Sequence, residues 1–311
     1  MEKNIAVAID LGATNIRMAL VSKDGKILKK IKEKTPKTGT SGIVIAEQIK
    51  NMLYSLAAKE DILKLAGIGI GSIGPLDLTK GAVVNTPNLP FKFIPLAKPL
   101  KKEFSLKVAL FNDCRAGVWG EKHFGAGKEK ENLVFITIST GIGGGAIVNG
   151  HLLLGKNGNA GEIGHIIAET KYNFPCRCKK GHGHWEACAS GNNLARFFNF
   201  WLSKNKNKKK FNFAEAKDIF SAAAGENQTV LKFLDEVGRI GARAVSNIIV
   251  AYNPELITIG GSVALNNPEY VLNPIKKYVE HYLAVPEIII TPLGDNLVLL
   301  GAAACVFWPP V

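Results

Sequence analysis

The stretch that decides the fold is Asp10-Leu11-Gly12-Ala13-Thr14-Asn15, which follows the apolar run Ile5-Ala6-Val7-Ala8-Ile9. The run predicts a buried strand, and the glycine after it allows a turn whose backbone N–H groups face an anion at close range. A second copy, Ser139-Thr140-Gly141-Ile142-Gly143-Gly144-Gly145, follows the apolar run from Leu133 to Ile138. Two such turns facing each other predict a polyphosphate site in a nucleotide-dependent enzyme.

Each copy of this pattern continues in the same way. An apolar strand follows each glycine loop, and a tight turn follows that strand, at Asp24-Gly25 in the first copy and at Asn149-Gly150 in the second. Both dipeptides are strong hairpin signals. A chain of 311 residues is also too long for one ordinary core. The repeat therefore predicts two similar domains.

Strand-like and helix-like segments alternate along the rest of the chain, which predicts an α/β fold class. Further strands are expected at 66–71, 108–111, 256–259 and 287–291, and loops at 81–99 and 156–191. Helices are expected at 42–58, 116–123, 192–203, 213–222, 227–252, 268–284 and 295–307. We expect a small N-terminal domain over 1–113 and a large C-terminal domain over 114–294, with the helix of 295–311 packing back on the first.

Composition excludes several classes of protein. Hydrophobic residues make up 47% and charged residues 21%, which is typical of a folded globular protein rather than a disordered one. No apolar stretch reaches the roughly 18 residues of a membrane span, and no signal-peptide pattern is present, so we expect a cytoplasmic protein without a membrane partner. The five cysteines do not suggest a disulfide framework.

The net charge of +13 raises the question of a nucleic-acid partner. The basic residues are mostly lysines spread along exposed-looking segments. The one dense run, from Lys204 to Lys210, has no aromatic residue until Phe211 and is typical of a solvated loop. We therefore expect no nucleic-acid partner, and a basic surface would help to gather anionic nucleotide.

Asp10 stands where the first predicted strand ends, the edge at which α/β sheets bind ligands. A carboxylate there is suited to hold Mg²⁺, directly or through water, beside the phosphates of a nucleotide. Thr14 and Asn15 add hydrogen-bond donors. The alternative is an ordinary turn with aspartate as the turn former.

Thr140, Gly141 and Gly143 belong to the stronger of the two loop signals, because a hairpin rarely needs four glycines in five positions. A third turn, Gly260-Gly261, follows another buried-type strand and could contact a base or ribose, or could be purely structural. None of these turns matches the Walker or the dinucleotide-binding pattern.

Asn112-Asp113 follows a short apolar strand and opens a predicted helix. An aspartate at this place could act as a general base that accepts the proton of an attacking hydroxyl, as in kinases. The alternative is that Asp113 only caps the helix.

Glu162 and His165 lie three residues apart and could both hydrogen-bond a polyol, with Glu186 as a second carboxylate. Cys176 and Cys178 lie close to histidines, which suits tetrahedral Zn²⁺. His165 could supply another ligand, and the spacing leaves open whether His182 or His184 completes the site. The alternative is a pair of free cysteines in a loop.

Taken together, these motifs resemble the ROK family, the sugar kinases and sugar-responsive repressors of the actin-like ATPase superfamily. The similarity covers essentially the whole chain. Its segments are the loop from Asp10 to Arg17, Thr86-Pro87-Asn88-Leu89, Asn112-Asp113, the run from Thr140 to His165, Ser190-Gly191 and Leu300-Gly301-Ala302-Ala303.

The resemblance implies a two-domain actin-like (ribonuclease H-like) ATPase fold with a cleft between the domains, and phosphorylation of a sugar by ATP with Mg²⁺. Asp113 would be the catalytic base. The sugar-binding residues would be Gly74, Asn88, Asn112, Asp113, Glu162, His165 and Glu186. The nucleotide-binding residues would be Asp10, Gly12, Thr14, Asn15, Thr140, Gly141, Gly143, Gly260 and Gly261.

The sequence departs from the family pattern in the metal loop. That pattern is usually C-x-C-G-x-x-G-C-x-E, whereas here Lys179 replaces a glycine, one residue is inserted, and His184 stands where the third cysteine should be. Histidine also ligates zinc. We therefore expect a structural Zn²⁺ site formed by His165, Cys176, Cys178 and His184.

The resemblance leaves three functions to weigh. The simplest is an ATP-dependent hexose kinase that converts glucose to glucose 6-phosphate. Another is a kinase of the same family for N-acetylmannosamine, fructose or allose. A sugar-responsive repressor would need a helix-turn-helix segment ahead of the first strand, where none is seen, which favours a kinase. A homodimer or higher homo-oligomer is a family expectation.

Overall fold

The structure is a computed structural model that describes residues 3–205, 211 and 213–310, apart from the side chain of Asn157. Most of the lysine-rich run, residues 206–210, lies outside the described residues. Among the described residues, no helix combines the length and the apolar composition that a bilayer span requires.

Strands and helices alternate, as the sequence predicted. The strands are β1 (Ile5–Leu11), β2 (Asn15–Ser22), β3 (Ile27–Lys34), β4 (Ile68–Ser72), β5 (Leu76–Asp77), β6 (Ala82–Val84), β7 (Phe93–Pro95), β8 (Val108–Asn112), β9 (Leu133–Ile138), β10 (Ile142–Val148), β11 (His151–Leu152), β12 (Leu256–Gly260) and β13 (Glu287–Ile290). The helices are α1 (Ile43–Leu56), α2 (Lys59–Ile62), α3 (Ala97–Phe104), α4 (Asp113–Phe124), α5 (Trp185–Ala189), α6 (Leu194–Lys204), α7 (Ala216–Ala224), α8 (Gln228–Tyr252), α9 (Ser262–Asn266), α10 (Pro268–Tyr278) and α11 (Leu297–Phe307).

The two large sheets have equivalent topologies. The first has the order β3-β2-β1-β4-β8 and the second the order β11-β10-β9-β12-β13. In the first, β4 runs parallel to both β1 and β8. In the second, β12 runs parallel to both β9 and β13. The predicted repeat of strand, glycine loop, strand and hairpin is therefore confirmed.

In both copies, the hairpin turn after the second strand contains a glycine with a positive φ angle. Asn149 and Gly150 both have positive φ angles, of 51° and 76°. Two successive positive φ angles are what a two-residue type I′ hairpin turn requires, and asparagine and glycine accept them at low cost. Gly25 in the other copy likewise has a φ of 87°.

The chain divides into two compact units. The first comprises residues 1–131, 145–161 and 295–311, and the second comprises residues 132–144 and 162–294. The first unit has a core of aliphatic side chains from β1, β2, β4 and α1, among them Ile9, Met18 and Ile49. The core of the second unit also contains a cluster of aromatic side chains, in which Phe198 and Phe233 pack edge to face with ring centroids 4.9 Å apart.

The C-terminal helix α11 packs against α4, β1 and β4 within the first unit. Gly301 makes the closest approach, because a Cβ built there would lie 1.7 Å from the carbonyl oxygen of Ala116. A residue with any side chain would therefore push the two helices apart.

Several predicted element boundaries were wrong. Residues 81–99 are not a continuous loop but contain β6, β7 and the start of α3. Pro95 ends β7 and Pro99 lies in the first turn of α3, two places where a proline is tolerated. α4 begins at Asp113 and not at residue 116. α10 ends at Tyr278 because Val279 is extended and the next N–H, of Glu280, donates to Ser246 Oγ at 2.9 Å.

Candidate active site

In the first unit, three parallel strands bring the predicted residues to one edge of the sheet. Asp10 on β1 is in register with Gly71 on β4, which is in register with Phe111 on β8. Asn112 and Asp113 follow directly. Since neighbouring strands lie about 4.8 Å apart, the backbones of Asp10 and Asn112 are separated by about 10 Å. A distance of this size leaves room for a metal–phosphate complex near Asp10 and a general base at Asp113.

The Asp10 carboxylate is partly shielded and ion-paired. Arg17 lies opposite it on β2 and donates from Nε to Asp10 Oδ2 at 2.8 Å, and from Nη2 to the same oxygen. Burial raises the pKa of the Asp10 carboxyl above its ordinary value, and the guanidinium of Arg17 opposes that rise. Sequence reasoning did not single out this role of Arg17, which the hairpin register around Gly12 would have indicated.

The first glycine loop is a tight turn. The Gly12 N–H donates to the carbonyl of Asn15 at 3.0 Å, and the Thr35 hydroxyl donates to the carbonyl of Gly12 at 2.8 Å. Asn15 begins β2, and Thr14 is exposed at the tip. The turn therefore uses the Gly12 N–H internally and presents Thr14 to solvent.

Asn112, and not Asp113, is the N-cap of α4. Its Oδ1 accepts a hydrogen bond from the Cys114 N–H at 3.0 Å. Asp113 is the first helical residue, so the alternative in which Asp113 serves as the cap is wrong. A carboxylate in the first helical turn is stabilised by the helix dipole.

The cap also fixes which end of the Asn112 amide is available. Because Oδ1 is bound to the helix, Nδ2 is the group that faces Gly74. A Cβ built on Gly74 would lie 3.7 Å from Asn112 Nδ2. Asn112 therefore presents a donor beside Asp113. Asn88 is exposed, and its N–H lies 3.4 Å from the Thr86 hydroxyl.

In the second unit, the second glycine loop is held from several sides. The Gly191 N–H donates to the carbonyl of Ser139 at 2.7 Å, and the Asn192 N–H donates to that of Thr140 at 3.2 Å. Glu186 Oε2 accepts from the Ile142 N–H at 3.0 Å. Thr140 is exposed, whereas Gly141 and Gly143 are partly buried.

The Gly260-Gly261 turn lies at the edge of the second sheet at which the second glycine loop follows β9, since Gly260 is in register with Thr137 of β9. Gly261 has a φ of 86°, and a Cβ on it would lie 2.6 Å from the carbonyl oxygen of Ile138. The turn therefore needs glycine for structural reasons, which leaves its predicted role toward a nucleotide a prediction.

His165, Cys176, Cys178 and His184 form a cluster whose ligand atoms all lie within 4.8 Å of one another. His184 Nδ1 lies 3.2 Å from His165 Nδ1 and 3.5 Å from Cys178 Sγ. Tetrahedral zinc, with bonds of 2.0–2.3 Å, spaces its ligand atoms about 3.3–3.8 Å apart. The two measured separations lie near this spacing, and the thiol and imidazole donors suit zinc. Of the two histidines that the spacing left open, His184 is the one in the cluster.

Short-range bonds shape the loop that carries these residues. The Cys176 N–H donates to the carbonyl of Gly181 at 3.0 Å, and the Cys178 N–H points at Cys176 Sγ from 3.5 Å. Burial and the neighbouring imidazole of His165 lower the pKa of His184, and a neutral imidazole is the form that binds metal.

The predicted sugar-binding residues of this unit adjoin the cluster. Glu162 precedes the short 3₁₀ turn Ile163–His165, and its carbonyl accepts from the His165 N–H at 3.0 Å. Glu186 lies on α5, two residues after His184. The stretch from Ser139 to Glu186 thus contains the second glycine loop, the metal cluster and the two carboxylates.

The chain matches known proteins over nearly its whole length. The ROK family matches residues 6–307. A glucokinase from Pyrobaculum calidifontis is 39% identical over 307 residues, which cover 98% of this chain and 95% of that protein.

Solved structures agree with this match. The crystal structure of a ROK hexokinase from Thermus thermophilus superposes with a TM-score of 0.81 at 28% identity, over 97% of this chain and 98% of that one. A ROK family glucokinase from Streptomyces griseus, in complex with glucose and AMPPNP, has a TM-score of 0.76 at 27% identity, over 96% and 98% of the two chains.

The protein therefore has the two-domain actin-like ATPase fold, as the sequence predicted. Among proteins of this fold, the chain belongs to the ROK family.

Proposed function

We propose that this chain is an ATP-dependent sugar kinase whose preferred acceptor is glucose and whose product is glucose 6-phosphate. The observation that carries the proposal is the 39% identity to a glucokinase over nearly the full length of both chains. The pair Asn112-Asp113, at the same sheet edge as Asp10, supplies the chemistry that phosphoryl transfer needs.

Asp113 is the general base in this proposal. Its carboxylate accepts the proton of the attacking sugar hydroxyl as the oxygen bonds to the γ-phosphorus of ATP, and ADP leaves. Asn112 supports this role, because its cap bond to α4 holds the backbone of Asp113 in place. Positioning of this kind supplies most of the catalysis in phosphoryl transfer.

The residues proposed to bind sugar hydroxyls combine donors and acceptors. Asn112 Nδ2 donates, whereas the carboxylates of Glu162 and Glu186 accept. The remaining members of the set are Gly74, Asn88, Asp113 and His165. The S. griseus relative solved with glucose and AMPPNP supports both a sugar and a nucleotide as ligands.

The residues proposed to bind ATP lie at the two glycine loops and the Gly260-Gly261 turn. Asp10 would hold Mg²⁺, directly or through water, and the ion would neutralise charge on the phosphates. Thr14 and Thr140, exposed at their loop tips, would donate to phosphate oxygens. The others are Gly12, Asn15, Gly141, Gly143, Gly260 and Gly261.

The four-residue cluster is proposed to hold a structural Zn²⁺. Two thiolates and two imidazoles from a short loop suit a closed tetrahedral site. His165 and His184 would be fixed by it, and with them the neighbouring carboxylates of Glu162 and Glu186. The metal would thus stabilise the sugar-binding segment without taking part in the reaction.

A sugar panel tests the proposed function. The purified protein is assayed with Mg·ATP and glucose, mannose, fructose, allose or N-acetylmannosamine, and phosphorus NMR identifies the product. We expect the highest kcat/KM for glucose and phosphorylation at the 6-hydroxyl. A higher kcat/KM for another sugar would replace glucose as substrate, and no transfer to any of them would refute the kinase. The cytoplasmic location and the homo-oligomeric state stay predictions.

A further inference from the structure

Arg17 is a charged residue of the first unit for which the proposed chemistry gives no role. It lies at the sheet edge, directly across from Asp10 in the β1–β2 hairpin. Its guanidinium makes three hydrogen bonds at once. Nε and Nη2 both donate to Asp10 Oδ2, and Nη1 donates to the carbonyl of Asp295 at 2.7 Å.

The pair differs from an ordinary surface ion pair. The side chains of Asp10 and Arg17 are only 14% and 26% exposed, so solvent screens their attraction less than it would at the surface. The bond to Asp295 holds the guanidinium from its other end. Arg17 is therefore fixed at both ends, and the carboxylate of Asp10 has one preferred orientation.

The distribution of bonds on the carboxylate also matters. Both bonds from Arg17 go to Oδ2, which leaves Oδ1 without a bond to the guanidinium. Oδ1 is thus the oxygen that can face a cation or the water in its first shell. The positive charge of Arg17 makes direct coordination of a second cation by Oδ2 unfavourable.

We propose that Arg17 is a positioning residue that orients Asp10 so that Oδ1 faces the hydrated Mg²⁺ of the bound nucleotide. The inference rests on the proposed function, because it requires Mg·ATP as the ligand. In this proposal, Arg17 acts through Asp10 and does not bind the phosphates itself. The bond to Asp295 further connects this orientation to the segment that leads into α11.

The test measures how far Mg²⁺ strengthens nucleotide binding. Calorimetry gives the affinity for AMPPNP with excess EDTA and with excess Mg²⁺, and the ratio of the two is the magnesium effect. In Arg17→Gln we expect this ratio to fall roughly tenfold or more, because charge-assisted bonds to Asp10 are lost, while the affinity in EDTA stays within about twofold of wild type.

Two further variants sharpen the comparison. Arg17→Lys keeps the charge but cannot reach both partners with a fork of donors, so we expect it to recover part of the ratio, and it serves as the test if Arg17→Gln does not fold. Lys32→Gln is the matched control, because Lys32 is exposed and lies next to Arg17 across β2 and β3. It should leave both affinities unchanged.

Three outcomes would overturn the inference. An equal loss of affinity with and without Mg²⁺ in Arg17→Gln would mean that Arg17 binds the phosphates itself. An unchanged ratio in Arg17→Gln and Arg17→Lys would mean that Arg17 does not orient Asp10, and the proposed kinase would stand. Failure of the wild-type protein to bind AMPPNP at all would instead refute the proposed function together with this inference.

Discussion

The carboxylate of Glu186 accepts a hydrogen bond from the backbone N–H of Ile142 at 3.0 Å. Glu186 lies two residues after His184 of the metal cluster, and Ile142 follows Gly141 of the second glycine loop. The contact is close, since a Cβ on Gly141 would lie 2.7 Å from Glu186 Oε2. A residue predicted to bind sugar therefore also shapes the loop predicted to bind phosphate.

We expect Glu186→Ala to weaken AMPPNP binding about tenfold, because the buried Ile142 N–H would lose its acceptor at a cost of about 1–3 kcal/mol. Glu186→Gln keeps an acceptor oxygen at the same distance and should stay within about threefold of wild type. Calorimetric titration of the two variants with AMPPNP makes the comparison. Equal losses in both would show that the charge, and not the bond to Ile142, is what matters.

Asp113→Asn should lower kcat by a factor of about 10²–10⁴, the usual contribution of a general base. The amide cannot take up the hydroxyl proton, but its oxygen can still accept from the Cys114 N–H, which now donates to Asp113 Oδ1 at 2.8 Å. The fold and glucose binding should therefore persist, as measured by thermal unfolding and by titration with glucose. A variant that phosphorylates glucose at the wild-type rate would exclude Asp113 as the base.

How far the sequence predicts this molecule differs from residue to residue. The strands next to Asp10 and Ser139 were predictable because long apolar runs end at glycine turns. The start of α4 was misplaced at residue 116 because only Asp113, and not Asn112, was considered as the helix cap. The pairing of Arg17 with Asp10 depends on hairpin register, and the bond from Ile142 to Glu186 joins distant parts of the chain. The first could have been found by working out that register, whereas the second leaves no signal in composition or spacing.

The metal cluster predicts a stoichiometry and a ligand set. Purified protein should contain about one zinc ion per chain, as expected for a closed four-ligand site. Cys178→Ser should lose it, whereas His182→Ala should keep it, because His182 lies outside the cluster. Metal analysis of the wild-type protein and these two variants decides the point, and zinc retained by Cys178→Ser would contradict the ligand assignment.

The contact between α4 and α11 predicts a large effect from one added methyl group. Gly301→Ala should destabilise the protein by roughly 1–3 kcal/mol, because its Cβ would collide with the backbone oxygen of Ala116. Gly225→Ala is the matched control, since its Cβ would meet its nearest neighbour at 3.5 Å, an ordinary contact. It should change stability by about 0.5 kcal/mol or less. Urea unfolding measures both, and equal effects would contradict the predicted collision.

His123 predicts a pH dependence of stability. Its ring stacks on Trp308 with centroids 4.5 Å apart, and its Nε2 is buried without a hydrogen-bond partner among the described residues. Burial, followed by the charge of Lys122, lowers the pKa of His123 from 6.5 to about 4. Between these two values the unfolded chain binds the proton more tightly, so this contribution to stability is present above pH 6.5 and is lost as the pH falls toward 4.

Because the ring is only partly buried, we expect the loss to be about 1–2 kcal/mol, less than the full shift would give. Urea unfolding at intervals between pH 7 and pH 4 measures it. His123→Phe keeps an aromatic ring against Trp308 but removes the titrating group, so its stability should fall less steeply over the same range. Identical slopes for the variant and the wild-type protein would mean that other groups cause the acid sensitivity and that His123 protonates without disturbing its contact with Trp308.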